Sequence, residues 1–184
     1  NTHPPRCGEG TQDHEYPSPG ISLEDSSLHR IKTQDMSVSK YVSEIKYIDH
    51  GIETVFQTLS DFRNLSHYIN DDILAAVTEK IPQVTISNFE SDADFCRFEI
   101  GGMGKSEIRI VERTPFSTIK VTGGGGLPLE LTFWIQLLPV EPLRTKMRLT
   151  LHASMGMMVK MLAGDKLEKG LDQLADSLAR LPYR

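Results

Sequence analysis

Across 38–48, Tyr41, Ser43, Ile45 and Tyr47 alternate with Val42, Glu44 and Lys46, the two-residue period of a strand with one wetter face. The period then changes. After Gly51, the residues Ile52, Val55, Phe56, Leu59 and Phe62 recur at steps of three and four, which predicts an amphipathic helix. Leu65, Tyr68 and Ile69 continue the pattern as a second short helical turn, and Pro82 closes the stretch.

Six further strands are predicted at 84–90, 94–100, 105–113, 116–123, 127–138 and 143–154, joined by connections short enough for hairpins. The clearest alternation sets Leu127, Leu129, Leu131, Phe133, Ile135 and Leu137 against Glu130, Thr132 and Gln136. The last strand repeats it, with Leu143, Thr145, Met147, Leu149, Leu151 and Ala153 inward and Arg144, Lys146, Arg148 and His152 outward. Strands of this kind form an antiparallel sheet with a single covered face. The cover is the segment 155–181, which contains no proline and as a helix would reach about 40 Å. Its later stripe is Leu167, Leu171, Leu174, Ala175 and Leu178, with Lys166, Glu168, Lys169, Asp172, Asp176 and Arg180 toward solvent. The stripe is too short for a coiled coil.

Residues 1–35 show neither period and are rich in proline, glycine and charge, so they are expected to be a disordered extension. Strand patterning starts just after Met36, which makes Met36 a candidate natural start; N-terminal sequencing of the native protein tests this. The remainder, 36–184, is expected to be one domain, since 184 residues with 39% apolar content support a single core.

The net charge of −5 is concentrated in the extension, where three basic residues face six acidic ones. The domain carries 17 against 19, and that near balance gives no nucleic-acid footprint. Cys7 and Cys96 lie in unrelated contexts, one in a polar tail and one in an apolar strand. A disulfide framework is a poor reading, and a reducing, cytoplasmic setting is expected. No apolar run is long enough for stable membrane insertion.

Candidate chemistry is sparse. Gly104-Lys105-Ser106 resembles the end of a phosphate loop, but Glu99 stands where the first glycine is needed and a strand follows. Gly101, Gly102 and Gly104 read instead as a hairpin turn, and 123–126, four glycines, as a flexible connection. The six histidines have no metal-ligand spacing, and no cofactor is expected. Cys96 reads as a small buried hydrophobe. Asp61, Asp71 and Asp72 are expected to cap helices or face water, and Glu99, Glu107, Glu112 and Glu130 to occupy outer strand faces. Met155, Met157, Met158 and Met161 gather where the long helix begins, deformable side chains suited to an apolar pocket of variable contents as well as to a core.

Together these elements resemble the START-like, or SRPBCC, superfamily, which includes birch-pollen-allergen-like proteins and polyketide cyclases. The carriers are Lys40-Tyr41-Val42-Ser43-Glu44-Ile45, the helical stretch 51–65 with its V-F-x-x-L-S-D-F-x-N-L pattern, and Gly170-Leu171-Asp172-Gln173-Leu174-Ala175. The resemblance spans 38–181 and implies an α+β helix-grip fold: a curved seven-stranded antiparallel sheet around a long C-terminal helix, with two short helices after the first strand and an internal cavity.

Members of that superfamily bind lipids, sterols, polyketides, quinones or hormones; some catalyse cyclisation or dehydration. The resemblance transfers no catalytic residue. It implies cavity-lining positions, for which the candidates are Tyr41, Ile45, Phe98, Phe133, Met147, Leu149, Met158, Met161 and Leu162. The leading expectation is a non-catalytic binder of an apolar or amphipathic small molecule. Its alternatives are a cyclase or dehydratase using a cavity acid or base, and a co-chaperone-like module with a protein partner.

Overall fold

The computed structural model describes Tyr16, Pro17 and residues 37–66, 86–102, 104–125 and 130–184. In chain order the elements are β1 (Ser37–Val42), β2 (Lys46–Ile48), α1 (Ile52–Leu59), α2 (Phe62–Ser66), β3 (Ile86–Ser91), β4 (Phe95–Ile100), β5 (Gly104–Thr114), β6 (Thr118–Gly125), β7 (Glu130–Glu141), β8 (Arg144–Met155) and α3 (Met157–Ala179). The strands form one eight-stranded antiparallel sheet in the order β1-β8-β7-β6-β5-β4-β3, with β2 also paired to β8. Consecutive strands from β3 to β8 are spatial neighbours, as short hairpin connections require. The expected turn at Tyr68 and Ile69 and the stop at Pro82 lie outside the described residues.

The first strand is two pieces where one was expected. Val42 pairs with Thr150 and Lys46 with Met147, so this edge has one more residue than its partner over the interval, which is a bulge. Ser43 holds it: its N–H donates to the Leu149 carbonyl, and its Oγ accepts from the Leu149 N–H, both at 2.9 Å. The extra residue reverses the faces. Tyr41 and Ser43 point inward as the alternation predicts, but Ile45 in the bulge and Tyr47 beyond it are exposed while Ile48 is buried.

Gly51 caps α1, its carbonyl accepting from the Val55 N–H. A Cβ at Gly51 would lie 3.0 Å from the Pro142 carbonyl, so glycine lets α1 begin against the β7–β8 turn. Val55, Phe56 and Leu59 bury the apolar stripe. Asp61 caps α2, accepting from the Arg63 N–H at 2.9 Å, as carboxylates there were expected to do; Asp71 and Asp72 lie outside the described residues. The hydrogen bond from the Arg63 side chain, ahead of the other causes, holds the Asp61 carboxyl below its ordinary value.

Three details depart from the sequence pattern. Leu143 is an exposed turn residue, ahead of the strand it was placed in. Gly123, Gly124 and Gly125 are not a loose connection but the end of β6, paired with Ile108, Glu107 and Ser106. Glycine is required there because at Gly125 (φ +90°) a Cβ would sit 2.7 Å from the Lys105 carbonyl oxygen. Finally, the outer face of the sheet is not wholly wet: Trp134, Gln136 and Thr150 point outward and are buried.

The core lies between the concave face, α1 and the C-terminal half of α3. Leu171, Ala175 and Leu178 pack into it, while Leu174 is partly exposed. Asp172 accepts from the Glu44 N–H at 2.8 Å, and Asp176 pairs with Lys46 at 2.7 Å. Both carboxylates, expected to face solvent, thus tie the helix to the bulged edge. After α3, Tyr183 returns to the core, its hydroxyl donating to the Leu178 carbonyl at 2.6 Å.

Candidate functional site

The register lays inward side chains in rows across the concave face. Leu137 faces Met147, and Ile119, Ile135 and Leu149 form the next row. A third runs Tyr41, Leu151, Phe133, Val121, Ile110, and a fourth Ser39, Ala153, Leu131, Gly123, Ile108, Cys96. Gly125, Ser106 and Phe98 make a shorter fifth.

Burial changes along these rows. The first two are sealed within the core beside α1 and the C-terminal half of α3. In the third to fifth, Tyr41, Phe133, Leu131, Ile108 and Phe98 are only half-buried. At the β1 edge of this wall the N-terminal half of α3 crosses Tyr41 at Gly164: a Cβ there would stand 3.4 Å from the tyrosine hydroxyl. Nearer the helix start, Met157, Met158, Met161 and Leu162 are exposed, with Met158 at 78%.

The candidate residues therefore separate into groups. Tyr41, Phe98 and Phe133 share the half-buried concave wall. Met147 and Leu149 belong to the sealed core. Met158, Met161 and Leu162 stand on exposed turns of α3, and Ile45, 43% exposed, lies in the bulge between Ser43 and Lys46.

Sequence reasoning missed Ser39 and Ser106. Their hydroxyls are buried without a hydrogen-bond partner among the described residues, and buried hydroxyls are ordinarily paired. They sit on strands separated by β8, β7 and β6, about 19 Å apart along the sheet, on opposite sides of the half-buried wall. Carrying the alternation back from Tyr41 to Ser39, and from Ile108 to Ser106, would have found both.

Two titratable groups at described inward positions, Cys96 and Lys46, depart from their ordinary values. Burial pushes the Cys96 thiol up to about 11, so it is a neutral, weakly nucleophilic group at neutral pH. Lys46 is held as a cation, above its ordinary value, chiefly by its hydrogen bond with Asp176. Glu107, Glu99, Glu112 and Glu130 point to the outer face. What the arrangement offers is an apolar surface carrying three hydroxyls, from Ser39, Tyr41 and Ser106.

The curved antiparallel sheet, paired short helices and long C-terminal helix make a helix-grip fold. No family model and no curated protein sequence matches the chain. Among solved structures, it is similar to truncated norcoclaurine synthase from Thalictrum flavum, at 9% identity and TM-score 0.56, covering 84% of this chain and 100% of that one. It is also similar to the Mll3558 protein from Rhizobium loti, at 15% identity and TM-score 0.55, covering 78% and 96%. The TTHA0849 protein from Thermus thermophilus gives 14% identity and TM-score 0.50, covering 77% and 94%. These likenesses establish the fold. Among the described residues, no helix is long and apolar enough to cross a membrane.

Proposed function

We propose that this protein binds an apolar or amphipathic small molecule, such as a lipid, quinone or polyketide-like compound, between the half-buried concave wall and the N-terminal half of α3. The observation that carries this reading is the pairing of half-buried Tyr41, Leu131, Phe133 and Ile108 with the unpartnered Ser39 and Ser106 hydroxyls. Apolar burial supplies affinity in such a site and a few polar groups supply orientation. Binding without catalysis is preferred because Cys96 is buried as a thiol and Lys46 is engaged by Asp176. A norcoclaurine synthase shares the fold, but its chemistry does not transfer at that identity.

A second reading, a protein-interaction module, draws on the exposed Met157, Met158, Met161 and Leu162, because exposed apolar patches mark contact surfaces. Titration of the full chain with 1-anilinonaphthalene-8-sulfonate separates the two. The binding reading expects saturable fluorescence and a dissociation constant raised about tenfold or more by Phe133→Ala, from the lost apolar contact. If Phe133→Ala has no effect and Met158→Glu abolishes the signal, the probe reports the helix surface and the interaction reading replaces it.

A further inference from the structure

Alternation assigns Gln136 and Thr150 to the outer face, where they would meet water, yet their exposures are 0% and 1%. Tyr16 and Pro17 lie on this face. Gln136 Nε2 donates to the Pro17 carbonyl at 2.6 Å, its Oε1 accepts from Thr150 Oγ1 at 2.7 Å and from Arg148 Nε at 3.4 Å. The Arg148 guanidinium stacks 4.4 Å from the centre of the Tyr16 ring. Gln136 is therefore fixed at its oxygen by the sheet, which leaves its amide aimed at an incoming carbonyl.

The chemistry suits an aromatic–proline step. Arginine stacks on an aromatic face. Proline has no N–H to leave unpaired and biases the preceding residue to an extended conformation, so the pair can lie on a sheet face without joining an edge. Charge favours the same ligand: on β1, β6, β7 and β8 the outward charged positions are Lys40, Lys120, Arg144, Lys146 and Arg148 against Glu130 and Glu141. The segment 1–35 carries six acidic residues to three basic, and Glu15 directly precedes Tyr16.

We propose that the outer face of β7 and β8 is a peptide-docking site for a tyrosine–proline step in an acidic context, with this chain's own Tyr16–Pro17 as its occupant. The site is on the opposite side of the sheet from the concave wall, and neither requires the other. Because the ligand is tethered, its effective concentration is in the millimolar range, so a weak intrinsic affinity suffices and an untethered peptide of the same chemistry competes for the face.

The test uses the isotope-labelled full chain and its amide NMR spectrum. Tyr16→Ala is expected to shift the signals of Trp134, Gln136, Arg148 and Thr150 while leaving those of Ile135 and Leu149 in place. Adding a peptide of residues 15–19, Glu-Tyr-Pro-Ser-Pro, to the Tyr16→Ala chain is expected to reverse the shifts, and Arg148→Met to weaken that binding. Unchanged outer-face signals in Tyr16→Ala, or no response to the peptide, overturn the proposal. A concentration-dependent dimer, seen by sedimentation and lost in Tyr16→Ala, would place the segment on a second copy and overturn the intramolecular assignment.

Discussion

Gly125 and Gln136 occupy neighbouring strands and are constrained for opposite reasons, one by lack of room and the other by the demand for partners. Any Cβ at Gly125 meets the Lys105 carbonyl, in a backbone conformation that already favours glycine. Gly125→Ala is expected to lower unfolding stability by about 1–3 kcal/mol, measured by urea denaturation. Gln136→Leu removes the acceptor of the buried Thr150 hydroxyl and is expected to cost about 1–3 kcal/mol. Adding Thr150→Val should recover much of that loss, so the two substitutions will be far from additive in a double-mutant cycle. Additive losses would mean that the two side chains do not act as a pair.

His152 packs edge-on against Trp134, with ring centroids 4.6 Å apart, and its buried Nε2 has no partner among the described residues. Burial, and after it the charge of Lys40, holds its pKa below the ordinary value. The fold thus favours the neutral ring. Its contribution is complete above the unfolded value of about 6.5 and is lost as pH falls toward the lower folded value. Urea midpoints at pH 7.5 and 5.5 are expected to differ more in the wild type than in His152→Gln; equal differences would exclude His152 as the source.

At the scale of elements, period and turn chemistry were the legible part. Ile52, Val55, Phe56 and Leu59 announced α1, and the alternation from Leu131 to Leu137 matched the inward face of β7. The bulge in the first strand was not legible because it depends on a side-chain bond from Ser43 to a strand more than a hundred residues later. Its effect on the site was direct, since Ile45 lies in it and is exposed. The three glycines ending β6 were read as a loop because composition records their freedom but not the strand beside them. Of the four methionines grouped at the start of the long helix, Met155 instead ends β8 and is fully buried, while Met157, Met158 and Met161 stand exposed on α3. Helix docking gives a sharp contrast: Leu171→Ala should cost about 2–5 kcal/mol, whereas Leu174→Ala, on the same helix but 42% exposed, should stay within about 0.5 kcal/mol. Equal losses in urea denaturation would require a different packing face for α3.

For the whole molecule, the helix-grip architecture gives one sheet two different faces. The concave side passes from a sealed core at Met147 and Leu149 to the half-buried wall at Tyr41, Phe133 and Phe98. The convex side carries the polar cluster around Gln136. The positions implied by the family resemblance included Tyr41, Phe98 and Phe133 of this wall but also sealed core residues and exposed turns of α3, and no residue pattern names a ligand, since apolar burial is non-directional and many ligands satisfy it equally. The proposed role as a binder is tested most directly by native mass spectrometry of the full chain, purified without detergent, incubated with lipid and quinone extracts and compared with the denatured mass. A reproducible non-covalent adduct, diminished in Phe133→Ala, is the predicted result. A bare mass that persists after incubation with both extracts would contradict it.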